Sequence, residues 1–367
     1  MSKIHPISME WCTHGRRGDI RFLGWITAIV LLNIVSGGCG EHPGISAERP
    51  LHLETRPAPV AVGHQFSCAL DEQGKVFCWG DTWPTLDEVP AETFVALNAG
   101  NSHICGITSQ GTVLCWGNNF SEQCDAPAGK FVQVSAGNDH TCALSPQGEV
   151  RCWGCGGYAG GLGMCESPPG QYTDVSASYR HACAVGVDGT VVCWGCSGED
   201  DFGQCDPPAG PFAQVSAGTD HTCGLRLDGR LVCWGANARN QLDGPAGTYG
   251  AIASGDGFSC ALSLQGTVTC FGDNVHLQTA APPVSFDHLT ATSQHVCGVT
   301  RQGEVLCWGF NWSGQANAPK KQYVHIKAGG THTCGITAGG QLHCWGDHEF
   351  GKTDIPGDRF VGLALGY

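Results

Sequence analysis

The sequence predicts an all-β protein built from eight copies of one short, hairpin-bearing unit, and three observations carry that prediction. Sixteen of the 23 cysteines form eight pairs whose members lie ten residues apart: Cys68/Cys78, Cys105/Cys115, Cys142/Cys152, Cys183/Cys193, Cys223/Cys233, Cys260/Cys270, Cys297/Cys307 and Cys334/Cys344. A glycine recurs at one place between the members of every pair, as Gly74, Gly111, Gly148, Gly189, Gly229, Gly266, Gly303 and Gly340. An aromatic residue and a glycine follow every second cysteine, the aromatics being Trp79, Trp116, Trp153, Trp194, Trp234, Phe271, Trp308 and Trp345. Successive pairs begin 37, 37, 41, 40, 37, 37 and 37 residues apart. A period in this range marks a repeat array, so all 367 residues need not imply several domains.

Ahead of the repeats, Arg16, Arg17 and Arg21 precede an apolar run from Phe22 to Val35 and then Ser36-Gly37-Gly38-Cys39. A basic segment, a short apolar core and small residues describe an export signal over residues 1–38 rather than a spanning helix. The run Ile34 to Cys39 resembles a bacterial lipoprotein signal, which makes Cys39 the candidate lipidated residue. Ser36 stands where such signals usually carry leucine, and plain secretion is the alternative. Residues 39–58 read as a flexible tether: the stretch from Gly40 to Pro59 is polar and holds four prolines. The repeats occupy residues 59–367.

Composition narrows the class. Gly is abundant at 55 residues and charged residues are scarce at 14%, which suits a turn-rich β protein. A formal net charge of −14 argues against nucleic acid or an anionic membrane surface as a direct partner. An exported chain with regularly spaced cysteines is expected to form disulfides.

Within the third unit, Phe131-Val132-Gln133-Val134-Ser135-Ala136 alternates as a strand does. After a turn at Gly137-Asn138-Asp139, two strand-like segments flank Ser145-Pro146-Gln147-Gly148. If Cys142 faces Cys152, the loop is Pro146-Gln147-Gly148, a three-residue hairpin loop with its left-handed position on glycine. The cysteines then fall on a non-hydrogen-bonded pair, where a disulfide can close. The tryptophan that follows points to the other face of the strand. Both faces of each hairpin are therefore apolar and need cover on both sides, which neighbouring blades of a propeller supply. A short fourth strand around Gln123-Cys124-Asp125-Ala126 is expected to complete each blade.

The pattern Ala-Gly-x-x-His-x-Cys-x-Leu followed by Gly-x-Val-x-Cys-Trp-Gly resembles the regulator of chromosome condensation family of β-propellers. The likeness is to the short, cysteine-bearing repeats of bacterial members and of certain plant receptor kinases. The resemblance implies a single propeller and a binding scaffold. Its members usually have seven blades, whereas eight hairpins and eight aromatic openers point to eight units here, with seven as the alternative. Pro57 replaces the aromatic opener of the first unit, and Phe360 to Leu365 is an opener with no hairpin after it. This C-terminal strand is expected to close the ring beside the first unit.

Candidate chemistry is sparse. Histidine stands two residues before the first cysteine in six units, as His103, His140, His181, His221, His295 and His332, with Phe66 and Phe258 in the others. Three recurring ligands fall short of a zinc site, disulfides would consume two of them, and Phe substitutes freely, so these histidines read as structural. No nucleophile elbow, phosphate loop or zinc-protease motif is present. No catalytic residue, metal or cofactor is expected.

The departures from the repeat point to a binding rim. Sixteen residues separate the second cysteine from the next opener in six units, but 20 follow Cys152 and 19 follow Cys193. Those longer loops hold Cys155, Cys165, Cys196 and Cys205, candidate extra disulfides, and they emerge from one rim of adjacent blades. Tyr158, Glu199, Asp200, Asp201 and Phe202 are the candidate rim residues, Glu199-Asp200-Asp201 being too few oxygens for calcium. Local pairing leaves Cys124 free, and pairing between blades leaves Cys205 instead. The expected function is a monomeric, non-enzymatic, extracytoplasmic binding scaffold, held to the membrane only through an N-terminal lipid, with a protein or glycan partner on one rim. Nucleotide exchange and chromatin binding, as in the eponymous family member, fit poorly with export and acidity. An extracellular enzyme inhibitor, like a relative that inhibits β-lactamase, or an enzyme with a site in the central channel, is the alternative.

Overall fold

The computed structural model describes residues 59–81, 88–156, 163–197 and 201–356. It holds eight antiparallel sheets, each of three consecutive strands. The second unit is representative, with strands Phe94–Ala99, His103–Thr108 and Val113–Gly117. Eight units, rather than seven, make up the fold.

The hairpin forms as its residue types dictate. In the third unit Cys142 faces Cys152, and Ser145 donates its N–H to the Glu149 carbonyl across the loop. Gly148 takes φ 84°, a left-handed value that a side chain would strain. Its carbonyl also accepts the N–H of Tyr172, the opener of the next unit, at 2.8 Å. One glycine thus ends a hairpin and ties two units together.

Every hairpin carries a disulfide across its two strands. The bonds are Cys68–Cys78, Cys105–Cys115, Cys142–Cys152, Cys183–Cys193, Cys223–Cys233, Cys260–Cys270, Cys297–Cys307 and Cys334–Cys344, with Cα atoms 4.0–4.1 Å apart. The two ends of each bond differ in cover, a difference that their symmetric spacing did not suggest. The first cysteine of every pair is fully buried. The second, at Cys78, Cys115, Cys152, Cys193, Cys233, Cys270, Cys307 and Cys344, is only half-buried. The reason is strand order: the first cysteine sits on the middle strand of its sheet, flanked on both sides, whereas the second sits on an edge strand.

The seams between units hold the core. Within a unit the opener ring packs on the tryptophan, as in Phe94–Trp116 and Phe212–Trp234 at 5.6 and 5.7 Å between centroids. Across a seam five of the six histidines meet a hydroxyl of the next unit, His140 being the exception. His103 Nε2 is hydrogen-bonded to Thr141 Oγ1 and His181 Nε2 to Thr222 Oγ1, both at 2.7 Å. His221 pairs with Ser259 at 2.8 Å and His295 with Thr333 at 2.9 Å. Where Phe66 and Phe258 replace histidine, the facing residues are Ile104 and Val296, both fully buried. The two residues change together because a buried hydroxyl without a partner is costly and an apolar pair is not.

His332 of the eighth unit pairs with Ser67 of the first at 2.7 Å, the same seam bond. Val60, Val62 and Trp79 share a core cluster with Cys334, Ile336 and Leu342. The eighth unit therefore packs on the first. Closing by the C-terminal strand from Phe360 to Leu365 lies outside the described residues, as do the export signal, Cys39 and the tether.

The first strand of each unit borders the central axis, so one edge lacks a strand partner. Side chains of the preceding unit fill that gap. Asn98 Oδ1 accepts the Ala136 N–H at 2.8 Å, Ser135 Oγ that of Ala177 at 2.9 Å, and Ser216 Oγ that of Ser254 at 3.0 Å. Such capping satisfies inner edges that would otherwise seek another strand.

The expected fourth strand is not formed. Residues 121–125 turn instead of extending, and Glu122 adopts φ 64°. Buried Gln123 organises the turn: its Oε1 accepts the Ser121 N–H at 2.8 Å, and its carbonyl accepts the Trp153 indole N–H at 2.9 Å. Gln204, Gln278 and Gln315 do the same for Trp234, Trp308 and Trp345. With its backbone committed to side chains and an indole, the segment cannot pair as a ladder. In the eighth unit Lys352 takes the glutamine's place, its carbonyl receiving the Trp79 indole and its ammonium paired with Asp347 at 2.7 Å.

Candidate functional site

Each unit presents two loops at the same end. The turn between its first and second strands lies beside the segment after its third strand, joined by backbone bonds such as Asn118 N–H to the Ser102 carbonyl and Phe310 N–H to the Gln294 carbonyl, both 2.9 Å. Turn residues of all eight units, among them His64, Asn101, Tyr179, Asp256 and Gly330, border one central depression on this face. The hairpin loops occupy the opposite face.

Both longer loops belong to the segment after the third strand and so rise from this loop face, in adjacent units. Each is tied by its own disulfide, Cys155–Cys165 and Cys196–Cys205, with Cα separations of 6.0 and 5.9 Å. Gly156 donates its N–H to the Ser121 carbonyl, fastening the first insert to the preceding unit. Asp201 Oδ1 accepts the Gly203 N–H, and Phe202 is about half exposed beside it. Tyr158, Glu199 and Asp200 lie outside the described residues. Among the described residues Cys124 is the free cysteine; burial and then Asp125 push its thiol up to about 12, so it stays protonated.

The exposed aromatic side chains gather on the same face, whereas the hairpin loops expose the aliphatic Val187, Leu227 and Leu264. Five residues after the second cysteine, Phe120, Val275 and Trp312 are 77, 80 and 86% exposed. Phe350 and Leu277 stand out nearby. Phe310 and Trp312 pack on each other at 5.2 Å, and His276 of the neighbouring unit meets both edge-on at 4.8 and 6.2 Å. Sequence reasoning located the inserts by spacing but missed these residues. The signal was present at that fixed offset from the cysteine.

Charge on this face is one-sided. Asp81, Asp125, Asp139, Asp206, Asp220, Asp256 and Asp347 place a carboxylate in every unit but the seventh. The described basic residues of these loops are Arg180, Arg239 and Lys352. Arg239 is paired with Asp273 at 3.0 Å.

The interior offers structure rather than reactive groups. Burial pushes the imidazoles of His103, His181 and His332 down to about 3, and those of His140, His221 and His295 down to about 4. They are neutral spacers in the seams. Near the axis Asp174 is held above its ordinary range by burial, against hydrogen bonds from Gln133 Nε2 and the Val215 and Val175 backbone. Gln133 donates to it at 2.9 Å. His288 and His325 lie 5.7 Å apart in other units. Among the described residues no three His, Cys, Asp or Glu side chains gather as a metal site.

The family model for the regulator of chromosome condensation (RCC1) repeat matches eight times, at residues 60–82, 94–123, 131–159, 172–204, 212–241, 251–278, 286–315 and 323–352. The chain belongs to the RCC1 repeat family. No curated protein matches it. Among solved structures, this RCC1-repeat chain is similar to the ectodomain of the receptor kinase CR4 from Physcomitrella patens. Identity is 24%, with 79% of this chain and 73% of that one covered and a TM-score of 0.54. The CRINKLY WD40 ectodomain of the receptor kinase ACR4 from Arabidopsis thaliana is similar at 21% identity, covering 83% and 99%, with a TM-score of 0.57. Human WBSCR16 is similar at 17% identity, covering 83% and 93%, with a TM-score of 0.51. At these identities the likeness concerns the fold.

Proposed function

We propose that this chain is an extracytoplasmic, non-enzymatic scaffold that binds a macromolecular partner through the loop face of its propeller. One observation carries the reading: both disulfide-tied inserts and the exposed apolar side chains Phe120, Phe202, Val275 and Trp312 share that face. Loops that break a regular scaffold are where binding residues concentrate, and exposed large apolar groups cost solubility unless a partner covers them. Ten disulfides support an oxidising compartment. Among the described residues no helix is long and apolar enough to cross a membrane. We assign the anchor to lipidation at Cys39, which a palmitate analogue should label in the wild type and not in Cys39→Ala.

Photo-crosslinking in the native cell envelope tests the face. A benzophenone amino acid at Phe120 or Phe202 should give a discrete adduct. One at Gln147, exposed on a hairpin loop, should give none. Adducts from Gln147 alone would move the partner to the other face.

A further inference from the structure

The seventh unit departs from its neighbours in two ways at once. Its loops, residues 292–294 and 310–317, contain no charged side chain. They carry Phe310 and Trp312 instead, and the adjoining loop of the sixth unit adds Val275, His276 and Leu277. An apolar patch therefore interrupts an otherwise acidic face.

Leu277 is the least expected of these residues. It occupies a turn position that is left-handed in its counterparts: Gly163, Gly203, Gly314 and Gly351 fill it with glycine, Asn240 with asparagine and Glu122 with glutamate. Leu277 holds φ 64° there and is 63% exposed. A leucine in this conformation is unfavourable, and exposure returns no packing energy to offset it. Strain and exposure together mark a side chain kept for something outside the chain. Trp312 is also pre-arranged: Phe310 and His276 brace its ring while the indole stays open to solvent, which lowers the ordering cost of binding.

We propose that Trp312, Phe310, Leu277 and Val275 form the seat for a cationic segment of a protein partner, an apolar side chain of which packs on the indole. Resting on the loop-face reading, this adds the seat and the chemistry of the partner. Carboxylates on the flanking units, Asp256 on one side and Glu349 and Asp354 on the other, match Lys or Arg residues beside that anchor. Aliphatic Val275 and Leu277 suit an apolar side chain rather than a hydroxylated sugar. The amide beside the indole is already committed, since Asn311 Nδ2 donates to Asn317 Oδ1 and Asn311 Oδ1 accepts the Ala316 N–H.

The test is selection of a random dodecapeptide library on the oxidised full-length protein. Enriched peptides should combine Lys or Arg with an aromatic residue or leucine. Their affinity should fall at least tenfold between 50 and 300 mM salt, at least tenfold in Trp312→Ala, and about threefold to tenfold in Leu277→Gly. Leu277→Gly should melt at the same temperature as the wild type or higher, because glycine relieves the left-handed strain; its binding loss therefore cannot be misfolding. Failure to enrich any peptide, salt-independent binding, or full affinity in Trp312→Ala would overturn the seat. So would binding of neutral oligosaccharides that Trp312→Ala abolishes. If Phe120→Ala weakens the peptides and Trp312→Ala does not, the seat is wrong but the loop face stands. If only the hairpin-face variant Arg230→Ala weakens them, both readings fall.

Discussion

The seam between the second and third units and the seam between the first and second fill one slot with opposite chemistry. In the former His103 meets Thr141; in the latter Phe66 meets Ile104. Both slots are buried to the same degree. Their difference teaches that the repeat specifies a shape, and that either a hydrogen-bonded pair or an apolar pair satisfies it so long as both partners agree. The loop face follows no such rule: its cross-unit contacts, such as Arg239–Asp273 and His276–Phe310, differ from seam to seam, and its residues diverge.

The largest expected effect breaks the two kinds of seam apart with acid. An unfolded histidine titrates near 6.5, whereas the six seam histidines titrate at about 3 to 4 in the fold. Because their folded values are depressed, the unfolded chain binds more protons. Stability is complete above pH 6.5 and is lost as pH falls toward the folded values. The loss is on the order of 1–2 kcal/mol per histidine at pH 5. Urea midpoints should therefore drop steeply between pH 6.5 and 5, above the range where ordinary carboxylates titrate. A midpoint that stays level to pH 4.5 would show that these imidazoles are hydrated or already charged.

The seams were partly legible beforehand. Six histidines and two phenylalanines at one offset were plain, and Phe in that place argued for a structural role. The partner hydroxyls were not noticed, because Thr141, Thr222, Ser259, Thr333 and Ser67 each sit one residue before a cysteine that dominates the pattern. Reading the two columns together across adjacent units would have paired them. The spurious fourth strand has a similar cause. Gln123-Cys124-Asp125-Ala126 alternates like a strand, but its conformation is set by a buried glutamine and a left-handed residue, neither of which leaves a hydrophobic period. Glutamine recurring as Gln204, Gln241, Gln278 and Gln315, 37 residues apart, was the usable signal. Its absence as a strand also explains the unequal cover of the disulfides, since no fourth strand shields Cys115 or Cys307 at the outer edge. Eight units, the register and the rim of the inserts were readable because glycine and cysteine spacing report backbone geometry directly. The patch at Trp312 shares its offset from the second cysteine with Phe120 and Val275, but an exposed position leaves no hydrophobic period to draw attention to it.

A smaller effect comes from exchanging one seam for the other. Thr141→Ile alone leaves His103 Nε2 buried without a partner and should cost about 1–3 kcal/mol. His103→Phe alone crowds Thr141 and should cost a similar amount, about 1–3 kcal/mol. The double variant restores the pairing found at Phe66 and Ile104. It should recover most of the loss at pH 7, with a coupling of about 1–2 kcal/mol, and its folded state should exclude one proton fewer. Chemical denaturation of the four proteins at pH 7 and pH 5 gives the cycle, and simple additivity would dissolve the idea that the columns are matched.

The smallest effect concerns the one seam that follows neither solution. His140 is fully buried, neither of its ring nitrogens has a hydrogen-bond partner, and the facing residue is Ala182 rather than a threonine. This seam is also the one crossed by the first insert, where Met164 replaces the usual glutamine and its carbonyl takes the Trp194 indole N–H at 3.0 Å. Ala182→Thr should supply the missing hydroxyl at the position where Thr141 and Thr222 bind their histidines. One restored buried hydrogen bond should stabilise the fold by about 1 kcal/mol, a rise of about 2 °C in melting temperature. It should also leave the loop face untouched, so peptide binding at Trp312 stays as it was. A fall in melting temperature would mean that the Met164 side chain occupies the space a threonine needs. The seam would then answer to the insert, and the binding face would have shaped the core beneath it.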